Sequence, residues 1–564
     1  MNFYDLVQYV LDDTLGQSLR LFRPELTLAA TIVALLLSSM LLRRWKSASF
    51  YVAVVGLAAA LYFAAPWAYL QPGVMARPAP IFTGMLVFDP FAVYMRGLLL
   101  FFALLFTTLT QASGMPRRED AAEFYALILG ATLGMCLMVS ANHMLTVFLG
   151  FEMASVPGYV LAGMLRSRRR SSEAALKFAV FGAGAAGIML YGISLLVGAL
   201  GSAHLPTMAA QLADVFESGS PERHTVLVLG GLMVMVGLAF KISAVPFHFW
   251  TPDVFEGATA EVAAFLSVAS KAAALALLVR LAIGFSHVEP TVPAGLPEPI
   301  ALVTSEADQE PAGPLSMVAS RATLASDSLA DARRFIVGLV VFLSAVTCTF
   351  GNLAAYGQTN IKRLLAYSTI AHAGYMMMPV AAAVALAGED AARARGAVAS
   401  LAFYLGVYLF MNLGAFALAA FLRNAVGSEQ IGDYAGLVRR SPGLVVCAGV
   451  IFFSLIGMPP LAGFAAKFTI FAALFDAYRV TSGGYLLVLL FIGAANTVLS
   501  LFYYLRVLKV MTLSPEPERG LPRISLSSVP GAYCLLVSLP LVVLGVWWDG
   551  LIVWAGQAAR LLLY

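Results

Sequence analysis

The sequence predicts an all-α integral membrane protein with about fourteen transmembrane helices, and three observations carry that prediction. Of its 564 residues 60% are hydrophobic and only 12% charged, whereas an average soluble domain is about 45–50% apolar and about 25% charged. Apolar runs of the length that crosses a bilayer as helix, about 20 residues, recur from one end of the chain to the other. Basic residues collect in alternate connections between those runs. Irregular backbone and open sheet are excluded at bilayer depth, because lipid offers nothing to free N–H and C=O groups.

Taken in order, the apolar windows place spans at 25–42, 49–70, 86–110, 121–140, 142–165, 173–200 and 225–249. The series continues at 256–284, 335–356, 361–386, 396–422, 443–477, 484–510 and 528–549. Arg43, Arg44 and Lys46 follow the first span, Arg117 and Arg118 the third, and Arg166, Arg168, Arg169 and Arg170 the fifth. Lys362 and Arg363 follow the ninth, Arg423, Arg439 and Arg440 the eleventh, and Arg506, Lys509, Arg519 and Arg523 flank the end of the thirteenth. Positive loops stay in the cytoplasm, so loops after odd spans are cytoplasmic and both termini are expected on the periplasmic side. The 250–256 stretch, read as a cytoplasmic loop, breaks the pattern with no Lys or Arg. The connection 285–331, rich in Pro and acid, is expected to be a flexible, solvated periplasmic insertion.

Several function classes fall away. The net charge is only +4 and sits in short loops, which is no nucleic-acid footprint. Cys136, Cys348, Cys447 and Cys534 are scattered singly inside apolar runs and read as packing residues. The acidic N-terminal stretch does not read as a signal peptide. Residues 182–187, Gly-Ala-Gly-Ala-Ala-Gly, fit a dinucleotide fingerprint but lie inside the sixth span, where small residues let helices approach. His204, His224 and His287 read as solvated loop residues and His143 as interfacial. His248 and His372 fall within or beside polar spans, where a satisfied structural histidine and a proton relay are equally good readings. No two histidines are spaced as metal ligands, so neither a metal nor a haem is expected.

What remains is charge inside the apolar spans: Glu152, Lys177, Lys241, Lys271 and Lys467. A charge at bilayer depth costs at least ~2.5–3.5 kcal/mol and marks an ion or proton path. Lys177, near the start of its span, can snorkel to the surface; Lys271 and Lys467 are too deep for that. Lys241 precedes Pro246, which breaks a helix by removing an N–H. Lys467 follows a second break at Pro459, Pro460 and Gly463, and broken helices in both halves of a chain point to a transport path built from repeats. Burial disfavours a charged lysine and a nearby carboxylate restores it. Glu152 and Lys241 therefore read as a protonation switch, with Lys271 and Lys467 continuing the path.

FKISAVPFHFWTPDVFEGA (240–258), ASKAA (269–273), GNLAAYGQTNIKRLLAYSTIAHAGY (351–375) and FLGFEMASVPGY (148–159) closely resemble the N subunits of bacterial NADH–quinone oxidoreductase, respiratory complex I, an antiporter-like family. The likeness runs from about residue 86 to 510. It implies fourteen helices in two inverted five-helix repeats, with helices seven and twelve broken. The organisation would be helices 1–3 in 1–120, the first repeat in 121–284, the insertion in 285–331, the second repeat in 332–510, and helix 14 with its tail in 511–564. The family's glutamate on helix five falls on Glu152, its lysines on helices seven and eight on Lys241 and Lys271, and its helix-twelve residue on Lys467. Lys177, His248 and His372 are further relay candidates.

Two features favour N subunits over their siblings. The M subunits usually carry Glu where Lys467 stands, and the L subunits extend into a long lateral helix where only fifteen residues follow position 549. The resemblance implies a proton-translocating subunit in a bacterial inner membrane that binds no cofactor itself. NADH, FMN, iron–sulfur clusters and quinone would belong to partner subunits, with subunits M and K as membrane neighbours. The alternatives are an Mrp-type cation/proton antiporter subunit or a membrane subunit of a related hydrogenase or dehydrogenase complex. A pure scaffold ranks last, since it has no use for buried Glu152, Lys241, Lys271 and Lys467.

Overall fold

The computed structural model describes residues 3–41, 47–73, 78–116, 118–165, 167–218, 221–287, 328–517 and 521–562. Within them the backbone does what lipid demands and satisfies its polar groups almost entirely inside helices. Short turns aside, the first part of the chain forms α1 (Phe3–Asp12), α2 (Arg23–Leu41), α3 (Ala48–Ala64), the small hairpin β1 (Ala79–Ile81) and β2 (Leu86–Phe88), and α4 (Pro90–Ser113). Next come α5 (Ala121–Ser140), α6 (Met144–Ala162), α7 (Arg169–Leu200), α8 (Leu205–Ser218), α9 (Pro221–Ile242), α10 (Trp250–Gly257) and α11 (Ala260–Gly284). The remainder is α12 (Ala330–Ala355), α13 (Ile361–Leu386), α14 (Ala391–Val426), α15 (Pro442–Ile456), α16 (Ala462–Thr481), α17 (Gly484–Leu513), α18 (Val529–Val546) and α19 (Asp549–Ala559).

Among the described residues thirteen helices are long and apolar enough to cross a membrane. The twelfth expected span, 443–477, is the exception because it divides into α15 and α16. Three other expectations need correction. The third span begins at Pro90 with Asp89 as N-cap, and Leu86–Phe88 is strand. The seventh ends at Ile242 instead of 249. The 250–256 loop is the helix α10. Most of the 285–331 insertion, residues 288–327, lies outside the described residues.

Burial sorts the helices. Every residue from Ala260 to Ile283 in α11 is buried, as a helix apolar on all sides must be. It packs against α13 and α14, which also pack on each other, so these three form the axis of the bundle. The outer helices turn large apolar side chains outward, among them Leu37, Val55, Leu176, Tyr191, Phe491 and Leu539. Gly182 of the misleading glycine run sits in close packing, since a Cβ there would meet Tyr159 Oη at 2.1 Å; Gly184 and Gly187 have open space. The four cysteines are all buried and free.

Candidate functional site

Both helix breaks leave backbone groups without intrahelical partners, and in each case a lysine takes one of them. At the first, Pro246 forces the chain out of helix after Ile242, and Ser243 adopts a left-handed φ of 65°. Val245 N–H donates to Thr347 Oγ1 at 2.9 Å, and Trp250 Nε1 donates to Phe240 O at 3.1 Å. The last carbonyl of α9, Ile242 O, accepts from Lys271 Nζ at 2.7 Å. At the second break α15 ends on Gly457, φ 89°, and its last carbonyl, Ile456 O, accepts from Lys467 Nζ at 2.9 Å. A helix C-terminus carries partial negative charge, so both ammonium groups sit where the backbone field holds a cation. Lys271, Lys467 and Lys241 are 0%, 3% and 4% exposed.

Lys241 closes α9 one residue before the break. Its Nζ donates to Ser155 Oγ at 2.7 Å and stands 5.0 Å over the Phe151 ring. Glu152 is one helical turn from Ser155 on α6 and half-buried. Its Oε1 has no hydrogen-bond partner among the described residues. Glu152 and Lys241 therefore face the same region without a direct ion pair, and Ser155 holds the ammonium.

From α11 a polar chain crosses into the second half. Ser267, one turn before Lys271, accepts from Asn412 Nδ2 at 2.6 Å. The same Nδ2 lies 3.0 Å from Tyr408 Oη and 3.4 Å from Thr369 Oγ1. Next to this group His372 shares a 2.6 Å hydrogen bond between Nδ1 and Tyr404 Oη, and its Nε2 lies 3.5 Å from Tyr504 Oη. Tyr504 and Ser368 share a short hydrogen bond. Lys467 Nζ stands 4.5 Å over the Tyr375 ring, and Tyr375 Oη shares a 3.2 Å hydrogen bond with Thr497. The hydroxyl and imidazole groups of this chain can both donate and accept, which is what carrying a proton through an apolar bundle requires, while Asn412 meets its neighbours only through its donating Nδ2.

The other expected relay residues lie off this chain. Lys177 Nζ meets Asp253 at 2.7 Å and Glu173 at 2.9 Å on the surface. His248 sits half-buried in the first break, its ring against Phe350 at 4.4 Å, and its Nδ1 has no hydrogen-bond partner among the described residues. His204, read as solvated, is half-buried and bonds Asn142 and Thr207; His224 is half-buried against Phe216. Asn412, Tyr404, Tyr408 and Ser155 escaped the sequence reading. Positions 404, 408 and 412 fall four apart on one helix face, and so do 368 and 372, a stripe that was there to be read.

The stretch that lacked Lys and Arg has its own explanation. Asp253 and Glu256 on α10 pair with Arg363 at 2.8 and 2.9 Å, while Lys177 and Arg170 complete the cluster. Lys362, buried, donates to Glu256 O and Ala258 O and pairs with Glu429 at 2.9 Å. Carboxylates of α10 thus receive the positive charge at the starts of α7 and α13.

Two broken helices, each with a buried lysine on the carbonyl at its break, define a membrane protein of the antiporter-like class. Residues 141–294 and 316–500 match the family described as NADH:quinone oxidoreductase/Mrp antiporter, transmembrane. The chain is 35% identical over 561 residues, 98% of each sequence, to NADH-quinone oxidoreductase subunit N of Anaeromyxobacter sp. (strain Fw109-5). It matches a chain in respiratory complex I from Thermus thermophilus with TM-score 0.68 and 29% identity, covering 94% of this chain and 98% of that one. A chain of the Mrp complex from Dietzia sp. DQ12-45-1b shares the fold at TM-score 0.72 and 19% identity, over 96% and 97% of the two chains. The chain belongs to the NADH:quinone oxidoreductase/Mrp antiporter family, in its subunit N branch.

Proposed function

We infer that this chain is a proton-translocating membrane subunit of an NADH–quinone oxidoreductase. It moves protons while partner subunits carry NADH oxidation, FMN, iron–sulfur clusters and quinone. The observation that carries the reading is the buried polar chain, in which two lysines cap the carbonyls of two broken helices and Asn412 joins Ser267 of one half to Tyr408 of the other. In this reading Glu152 biases the proton on Lys241. Lys271 and Lys467 are the later loading points, each held by the carbonyl at a helix end. Lys177 and His248 serve the surface cluster and the first break rather than the central chain. The two inverted repeats correspond to 121–284 and 332–510, with 1–120 and 511–564 outside them. The loop charges support a bacterial inner-membrane orientation with both termini periplasmic, beside subunits such as M and K.

Full-length likeness to subunit N relatives favours this over a free-standing Mrp-type antiporter, whose likeness here is of fold alone. Purification of the tagged chain from its native membrane tests the choice. Co-purification with flavin and iron–sulfur subunits and NADH-driven acidification of vesicles is the expected result. A chain that purifies without them and exchanges sodium for protons would overturn it.

A further inference from the structure

Away from the polar axis, Arg96 of α4 is buried, 1% exposed. Its Nε lies 3.1 Å from Ser140 Oγ and 2.8 Å from Glu25 Oε1. Its Nη2 has no hydrogen-bond partner among the described residues. A guanidinium donor left open in a buried place loses the full worth of its hydration, so its surroundings matter. Arg96 forms part of the wall of a cavity of about 120 Å³, with Arg20, Arg23, Phe63, Tyr69 and Phe88. A single water needs only about 10–15 Å³, so the space takes a larger group.

The charged residues of that wall are all arginines. Glu25 already faces Arg96 and is not part of the wall, while Arg20 and Arg23 are exposed. Guanidinium groups match the oxygens of phosphate in a planar, two-pronged fashion. The cavity lies where α2 begins, α3 ends and α4 begins, the level at which phospholipid headgroups sit. Arg23 and Pro24 of the wall open α2, and farther along that helix Leu26, Val33 and Leu37 are exposed and fall on one helix face. A free anion has no use for such a face, and an acyl chain does.

We propose that this cavity binds the phosphate group of an acidic phospholipid, with Arg96, Arg20 and Arg23 as donors and the Leu26–Val33–Leu37 face as the seat of an acyl chain. The site is independent of the proton path. Each basic side chain near a membrane surface is worth about 1 kcal/mol toward anionic lipid, so losing two weakens binding about 30-fold.

The assembled complex, delipidated in detergent, would be titrated with phosphatidylglycerol, phosphatidylcholine or inorganic phosphate. Thermal stability would be the readout, alongside single-particle maps of each sample. Wild type is expected to be stabilised by phosphatidylglycerol, with phosphate density beside Arg96 continuing into chain density along α2. The R20Q/R23Q variant replaces two exposed residues, and a native gel checks its assembly. It should need roughly 30-fold more phosphatidylglycerol for the same shift. Equal density from inorganic phosphate alone would overturn the lipid in favour of a free anion. Equal binding of phosphatidylcholine would overturn the acidic preference. Density of water size in every sample, with variant and wild type alike, would overturn the site.

Discussion

Lys241 is the residue on which the proposed proton path first depends. Its ammonium is buried, yet among the described residues it has one hydroxyl, Ser155, and one ring face, Phe151, in place of a carboxylate within ion-pair reach. In the proposed function Glu152 acts on it through space, and at an effective dielectric of ~20 a charge ~7 Å away is worth roughly 2.4 kcal/mol. Lys241→Ala in the assembled complex should abolish most NADH-driven proton pumping and lower coupled quinone reductase activity. Vesicle acidification at wild-type rate in an intact mutant complex would sink that role. Glu152→Gln should lower pumping, by up to roughly 50-fold if the whole of that charge effect is lost. Glu152→Asp should be milder, because the charge stays and only its reach shortens. If Gln and Asp behave alike and near wild type, through-space control is wrong. These two residues were legible in the sequence, since a charge in an apolar run is conspicuous on its own. Ser155 was not, because a hydroxyl in a membrane helix ordinarily bonds back to its own backbone, as Ser155 Oγ also does to Phe151 O at 2.7 Å.

Elements of secondary structure add what residues alone do not, namely an oriented backbone end. The prolines announced both breaks in the sequence. The lysines that cap them could not be matched to carbonyls, because Lys271 and Ile242 are 29 positions apart and on different helices. The 250–256 stretch was misread for a related reason. Its lack of basic residues looked like an anomaly of topology, whereas α10 supplies the carboxylates that pair the basic residues near the starts of α7 and α13. The second break is the tighter. A Cβ on Gly457 would stand 2.9 Å from Lys467 Cδ, and the residue has φ 89°. Gly457→Ala should therefore destabilise the complex by about 1–2 kcal/mol, displace Lys467 and depress pumping, with thermal melting and vesicle acidification as the readouts. Substituting the lysine itself separates charge from proton release. Lys467→Ala should impair pumping and Lys467→Arg should preserve only part of it, since arginine keeps the charge but does not deprotonate. Normal pumping by both would end the path at Lys271.

At the scale of the whole molecule, the question is how one half tells the other that its lysine is loaded. The central helices α11, α13 and α14 are buried over most of their length, and their polar residues meet at Asn412. Its amide reaches Ser267 on the first half and Tyr408 and Thr369 on the second, while its Oδ1 has no hydrogen-bond partner among the described residues. Helix count, breaks and buried charges were readable from sequence because each is a local departure from apolar composition. This junction was not, because it depends on which faces of distant helices meet. Asn412→Leu keeps a similar volume and leaves Ser267 and Tyr408 without that partner, at about 1–3 kcal/mol for groups so orphaned. If the junction carries coupling between the halves, the variant complex should assemble and reduce quinone while moving fewer protons per NADH oxidised. Asn412→Gln, which restores an amide, should recover part of that ratio. An unchanged ratio in Asn412→Leu would mean that each half moves its protons alone, and that the chain of hydroxyls between them serves packing.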